Sequence, residues 1–342
     1  MDPYPGLSQF ADFPNHSFKR RAMRPTAKAW VRHSALLFLA FLTTTFGGIA
    51  FLFGALVSPQ FAEPATWTGY ITFIPKYYVA SVGAVLHLAI NDRFVLGQGL
   101  AFSLSLLAIL TAHEAGHYVA CRIYGVDATL PFFLPAPPLL GPGTFGAFIK
   151  IVSPIPSRRA LFDIGVAGPL AGFVIVIPVA IVGLLTSHPL PAAAVAAAGD
   201  AGFSDPLLVR LLAWPLHIDL NLLSLNPFWF ASWIGLLVTS LNLLPVGQLD
   251  GGHAVMAVFG SAAHRWIGRV AFLTMVTLAT LGWVLHGSPG GFVYTVILAI
   301  MLKVGHPRPP DQTPLGTGRL VVAGITLLVF ALCFWPFPIT FR

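Results

Sequence analysis

Long apolar runs, parted by short polar and proline-rich stretches, set the plan of this chain. A bilayer crossing needs about 20 consecutive apolar residues. The stretches 34–57, 97–124 and 161–186 satisfy that length, and 228–244, 269–285 and 320–337 approach it. The run at 292–304 is short for a full crossing, and 77–90 is also short, holds His87 and runs into Asn91, Asp92 and Arg93. This last stretch reads as interfacial or partly inserted. Within 161–186, Gly165, Gly168, Pro169, Gly172 and Pro178 interrupt the apolar pattern, and small residues of this kind let helix backbones approach closely. The pattern therefore predicts an all-α polytopic membrane protein of about seven (six to eight) transmembrane helices. A tail over 1–33 precedes a membrane-embedded body over 34–342.

Composition agrees. Of 342 residues 56% are hydrophobic and 9% charged, against about 25% charged in soluble domains. The formal net charge is +7, but nucleic acid is not the implied partner. Lys19, Arg20, Arg21, Arg24, Lys28 and Arg32 crowd ahead of the first span, which is the positive-inside signal of a cytoplasmic tail. The long polar lead is unlike a cleaved signal peptide. From this start the first span runs outward and 97–124 runs inward, if 77–90 does not cross. Lys150, Arg158 and Arg159 then fall on the cytoplasmic side, as do Lys303, Arg308 and Arg319. The segment 188–226, with Asp200, Asp205, Asp219 and an alanine-rich patch at 192–198, lies outside. The expected location is the cell membrane, multi-pass, in contact with the lipid bilayer. Cys121 and Cys333 give no disulfide framework.

The chemistry is concentrated in His113-Glu114-Ala115-Gly116-His117, inside an apolar run. H-E-x-x-H on a helix sets two imidazoles one turn apart on the same face, the spacing that holds zinc, with the Glu as general base. Glu63 and Glu114 are the only glutamates, and a charge at membrane depth costs about 2.5–3.5 kcal/mol on insertion scales, so Glu114 is a functional candidate. A catalytic zinc site takes three protein ligands. The best third candidate is Asp250 in Asn242-Leu-Leu-Pro-Val-Gly-Gln-Leu-Asp-Gly-Gly-His253, where Pro245 and three glycines permit irregular backbone. Asp250 as a mere helix cap is the blander reading, and His253 reads best as a solvated loop histidine. Asp163 reads as an interfacial cap on the 161–186 span. The segment 143–151, glycine-rich and then alternating, reads as a strand whose edge, through Gly146 and Ile149, is open to pairing with another extended segment.

The pairing of H-E-A-G-H with N-L-L-P-V-G-Q-L-D-G-G resembles the site-2 protease family of intramembrane zinc metalloproteases, over about residues 97–260 and including Gly168-Pro169. The chain resembles a compact member without a PDZ domain. The resemblance implies zinc bound by His113, His117 and Asp250, Glu114 as general base, Asn242 as a transition-state stabiliser, and a membrane-associated β-loop near 143–151. It implies an endopeptidase whose substrate is a transmembrane segment of another protein. A metal transporter would instead spread ionisable groups along a path through several spans, whereas here they gather at one level.

Overall fold

The computed structural model describes residues 22–189, 201–220, 223–224, 226–306 and 308–341. Most of the tail, including Lys19, Arg20 and Arg21, lies outside the described residues, as do the 192–198 patch and Asp200. The helices are α1 (Ala27–Leu52), α2 (Gly54–Val57), α3 (Trp67–Asn91), α4 (Arg93–Ile123), α5 (Arg158–Thr186), α6 (Leu207–Ala213), α7 (Pro227–Asn242), α8 (Asp250–His286), α9 (Gly290–Lys303) and α10 (Thr317–Cys333). Strands β1 (Phe132–Pro135) and β2 (Thr144–Phe148) form one antiparallel pair, and β3 (Ala201–Phe203) and β4 (Ile339–Phe341) another.

The protein is mostly helical, and among the described residues five helices are long and apolar enough to cross a membrane: α1, α3, α4, α5 and α8. That is fewer than the seven expected, because α7, α9 and α10 have only 16, 14 and 17 residues. The stretch read as a short partial insertion at 77–90 is the second half of α3, a continuous helix of 25 residues. Pro75 and Lys76 hid its first half in the sequence. Thr66 caps it, the side chain accepting the Gly69 N–H, and Pro75 is carried inside the helix.

Local chemistry sets the helix starts. Asp92 accepts the Phe94 and Val95 N–H groups and opens α4; Ser157 accepts from Ala160 and opens α5; Asn226 accepts from Trp229 and opens α7. Caps of this kind contribute about 1 kcal/mol each. Asp163, expected as the α5 cap, sits a turn and a half inside the helix instead. It holds Arg319 of α10 through two contacts of 2.9 and 2.7 Å and accepts from the Tyr124 hydroxyl, so one carboxylate ties together the ends of α4, α5 and α10.

Side-chain contacts give the relative directions. His33 near the start of α1 bonds Pro131 O just beyond α4, and Ser103 in mid-α4 bonds Thr44 and Phe41 O of α1. Farther along, Gly99 packs on Thr45 and Ile49. The two helices are therefore antiparallel. Val85 of α3 joins Ile49, Val57 and Val95 in one cluster, so α3 ends at the level where α1 ends and α4 begins. Helix α7 is enclosed by α4 and α5, with Phe102, Leu106, Ile109, Val176 and Leu236 in the main core. Helix α8 breaks at Gly260, whose φ of 79° lies in the left-handed region. At the break, Arg158 donates to the carbonyls of Ala257 and Val258, closing the first segment of α8 against the start of α5.

Candidate metal centre

Residues 113, 114 and 117 are buried in mid-bundle on α4. Asp250 is the first residue of α8, with Leu249 before it as a cap that makes no side-chain bond. A carboxylate there would ordinarily bond its own helix's free N–H groups. This one faces α4: its Oδ2 is 3.3 Å from His113 Nε2 and 3.2 Å from His117 Nε2. The two Nε2 atoms are 3.2 Å apart. The irregular backbone expected at Asp250 is confined to the turn before it, between α7 and α8.

These distances test whether a metal fits. A tetrahedral ion with bonds of about 2.0–2.1 Å places its ligands about 3.3 Å apart. The three donor atoms form a nearly equilateral triangle of that size, and they are the one such group among the described residues. His117 Nδ1 lies 2.7 Å from Ile164 O. A carbonyl only accepts, so Nδ1 carries the proton and Nε2 keeps its lone pair for a metal. Two imidazoles and one carboxylate are a donor set suited to zinc.

Small residues of α5 allow this approach. A methyl group at Gly168 would stand 2.5 Å from His117 Cε1 and closer still to Nε2; one at Gly172 would meet His113 Cβ at 3.2 Å. Gly165 packs in the same way on His253 and on the Asp250 carbonyl. Sequence reading placed this helix in the interior but did not tie Gly168 to a ligand ring.

The three donors open onto a cavity of about 690 Å³. Glu114, Asn242 and Ile149 also line it. Asn242 ends α7, and its Nδ2 lies 3.2 Å from His113 Nε2, so the amide reaches the rim of the donor cluster. Ile149 falls just past the end of β2, on the cavity wall that Glu114 also lines. Gly146 lies within β2 at φ 97°, with open space where a Cβ would point. His253, expected in a solvated loop, is on α8, lines the cavity and bonds His306 at 2.7 Å. His306 and the Ile164 carbonyl carried no signal in the sequence.

A family model for peptidase family M50 matches residues 101–282, which contain both halves of this site. The chain belongs to the M50, or site-2 protease, family. Among curated M50-type relatives, the Probable zinc metalloprotease EGY1, chloroplastic, of Arabidopsis thaliana is 32% identical over 69% of this chain and 43% of its own length. The Probable zinc metalloprotease EGY2, chloroplastic, of the same plant is 30% identical over 74% of this chain and 44% of its own. The Probable zinc metalloprotease EGY3, chloroplastic, of Oryza sativa subsp. japonica is 28% identical over 85% and 47%. The chain spans less than half the length of these relatives. No solved structure matches it.

Proposed function

We propose that this M50 chain is a zinc-dependent intramembrane endopeptidase that hydrolyses a peptide bond in or near a transmembrane segment of another protein, as in regulated intramembrane proteolysis. The observation that carries the reading is the donor triangle, with sides of 3.2, 3.2 and 3.3 Å, set beside a glutamate on a helix long and apolar enough to cross a membrane. His113, His117 and Asp250 would hold the metal. When bound, zinc supplies Lewis acidity, acidifying water and polarising a peptide carbonyl.

The side chains supply the rest. Glu114 takes the proton from attacking water and passes it to the leaving amine. Ile149 stands beside that carboxylate on the cavity wall. Asn242 presents an amide donor at the rim, placed to meet charge developing on the carbonyl oxygen. A helical substrate hides its carbonyls in internal bonds, so it must unwind first. The β1–β2 pair is two-stranded, and Ala147, Phe148 and Ile149 line the cavity. Gly146 and its neighbours on β2 offer an edge for strand addition by the unwound segment.

We place the protein in the cell membrane as a multi-pass chain, with the start of α1 and the catalytic centre toward the cytoplasm. Antiparallel packing of α1 and α4 supports this, because it opposes the motif helix to the first span whatever α3 does. Arg24, Lys28, Arg122, Arg158 and Arg319 all gather at the end where α1 begins.

The test pairs wild type with Glu114→Gln, assaying cleavage of a model transmembrane substrate in liposomes together with bound zinc. The expected result is zinc retained at wild-type level and cleavage lost. Equal cleavage by both proteins would falsify Glu114 as the base.

A further inference from the structure

A second concavity, of about 340 Å³, lies beyond the catalytic cavity, on the far side of the chain that follows α9. One wall is a single helical face: Ser261, His264, Arg265, Gly268 and Arg269 recur at the spacing of successive turns directly after the Gly260 break. Across from it stand Gly305, His306 and Arg308, and the floor is at Gly247, whose carbonyl bonds His264 Nε2 at 3.0 Å. Three arginines thus line one small pocket.

These three share one pocket and are unpaired together. Arg122, Arg158, Arg159 and Arg210 each bond a backbone carbonyl, and Arg319 binds the Asp163 carboxylate. Among the described residues, Arg265, Arg269 and Arg308 have no carboxylate within 4.0 Å and no hydrogen bond; Arg269 only rests on the Trp266 ring, 5.4 Å from its centroid. Three cations converging without a counter-charge repel one another, and a multivalent anion relieves that repulsion while accepting the forked donors. Trp266, 66% exposed between Arg265 and Arg269, marks the depth. An outward tryptophan beside arginines is the signature of the interface between hydrocarbon and water.

We infer that this pocket is a binding site for a phosphate group, either the headgroup of an anionic phospholipid or a soluble phosphate. The inference does not depend on the proteolytic reading, since it uses none of the metal-binding or catalytic side chains. The site and the catalytic cavity do share a wall at His306 and Arg308.

Native mass spectrometry of the full chain in detergent tests it, with phosphatidylglycerol and phosphatidylcholine as probes. Wild type should retain phosphatidylglycerol about tenfold more tightly than the Arg265→Gln/Arg269→Gln variant, and both should hold phosphatidylcholine equally. An Arg265→Lys/Arg269→Lys variant, which keeps the charge, should recover most of the difference. Retention that resists excess inorganic phosphate identifies the lipid as the ligand; displacement by inorganic phosphate identifies the soluble group. If wild type itself shows no preference for phosphatidylglycerol and no binding of inorganic phosphate, the inference fails, however the variants fold. Equal binding by wild type and a folded Gln variant overturns it as well.

Discussion

Replacing Gly168 by alanine should disable the metal centre through a single methyl group. In a helix interior the exchange alone favours folding by about 1 kcal/mol, so any loss must come from the site. The new carbon would stand 2.5 Å from His117 Cε1, where ordinary contacts begin at 3.4 Å. The ring must therefore retreat by at least about 0.9 Å, since Nε2 is closer still, and that is several times the roughly 0.2 Å within which metal–ligand distances hold. The ring is also held from behind by the bond from Nδ1 to Ile164 O. Disturbing a ligand's supporting contacts alone typically costs 10–100-fold in affinity, and displacing the ligand itself should cost at least the upper end. Two controls grade the effect. Gly172→Ala meets His113 Cβ at 3.2 Å, needing a shift of only about 0.2 Å, and Gly97→Ala meets nothing within 4 Å. Zinc content after dialysis against a graded chelator series, with cleavage measured alongside, should order the three variants 97, 172, 168 from least to most affected. If Gly168→Ala keeps zinc as firmly as Gly97→Ala, the packing argument at His117 is wrong.

Ile149→Pro should keep zinc while turnover drops about 2–10-fold, the value of one backbone hydrogen bond to a paired substrate strand, about 0.5–1.5 kcal/mol; a turnover equal to wild type would remove strand addition at Ile149 from the account. Burial raises Asp205 from the ordinary carboxylate value of 3.8 to about 6, against the opposing charge of Arg210. Its protonated form is thus favoured by folding, so this contribution to stability is full below about pH 4 and lost as pH rises through about 6. Melting temperatures of wild type against Asp205→Asn across pH 4 to 8 should show that slope only in wild type, and parallel profiles would contradict it.

The residues that meet at the candidate metal centre were legible in the sequence from two short motifs. His113 and His117 need only a helix to share a face, and Asp250 was conspicuous as an acid among glycines at membrane depth. The approach of Asp250 to α4 depends on how α5 is packed between α4 and α8, and Gly165, Gly168 and Gly172 reported close packing without naming the partner. Asp163 shows the limit of positional reasoning. Its place near a span's start suggested a cap, but Ser157 begins the helix earlier and frees Asp163 to pair with Arg319, 156 residues away. The first half of α3 was hidden because Pro75 and Lys76 interrupt the apolar run ahead of 77–90, although a capped, otherwise apolar helix carries both. Ile149 was identified as part of the β-loop, and its place just past β2 on the same cavity wall as Glu114 is a tertiary arrangement that no alternation of side chains encodes.

The central claim is that His113, His117 and Asp250 grip one metal ion between α4 and α8. Zinc-edge X-ray absorption on the purified full chain, with metal counted per chain in wild type and in Asp250→Ala, addresses it directly. The account predicts one zinc per chain in wild type, with two imidazole nitrogens and a carboxylate oxygen at about 2.0–2.2 Å, and loss of that zinc in Asp250→Ala. Full occupancy in Asp250→Ala with an unchanged coordination shell would contradict it.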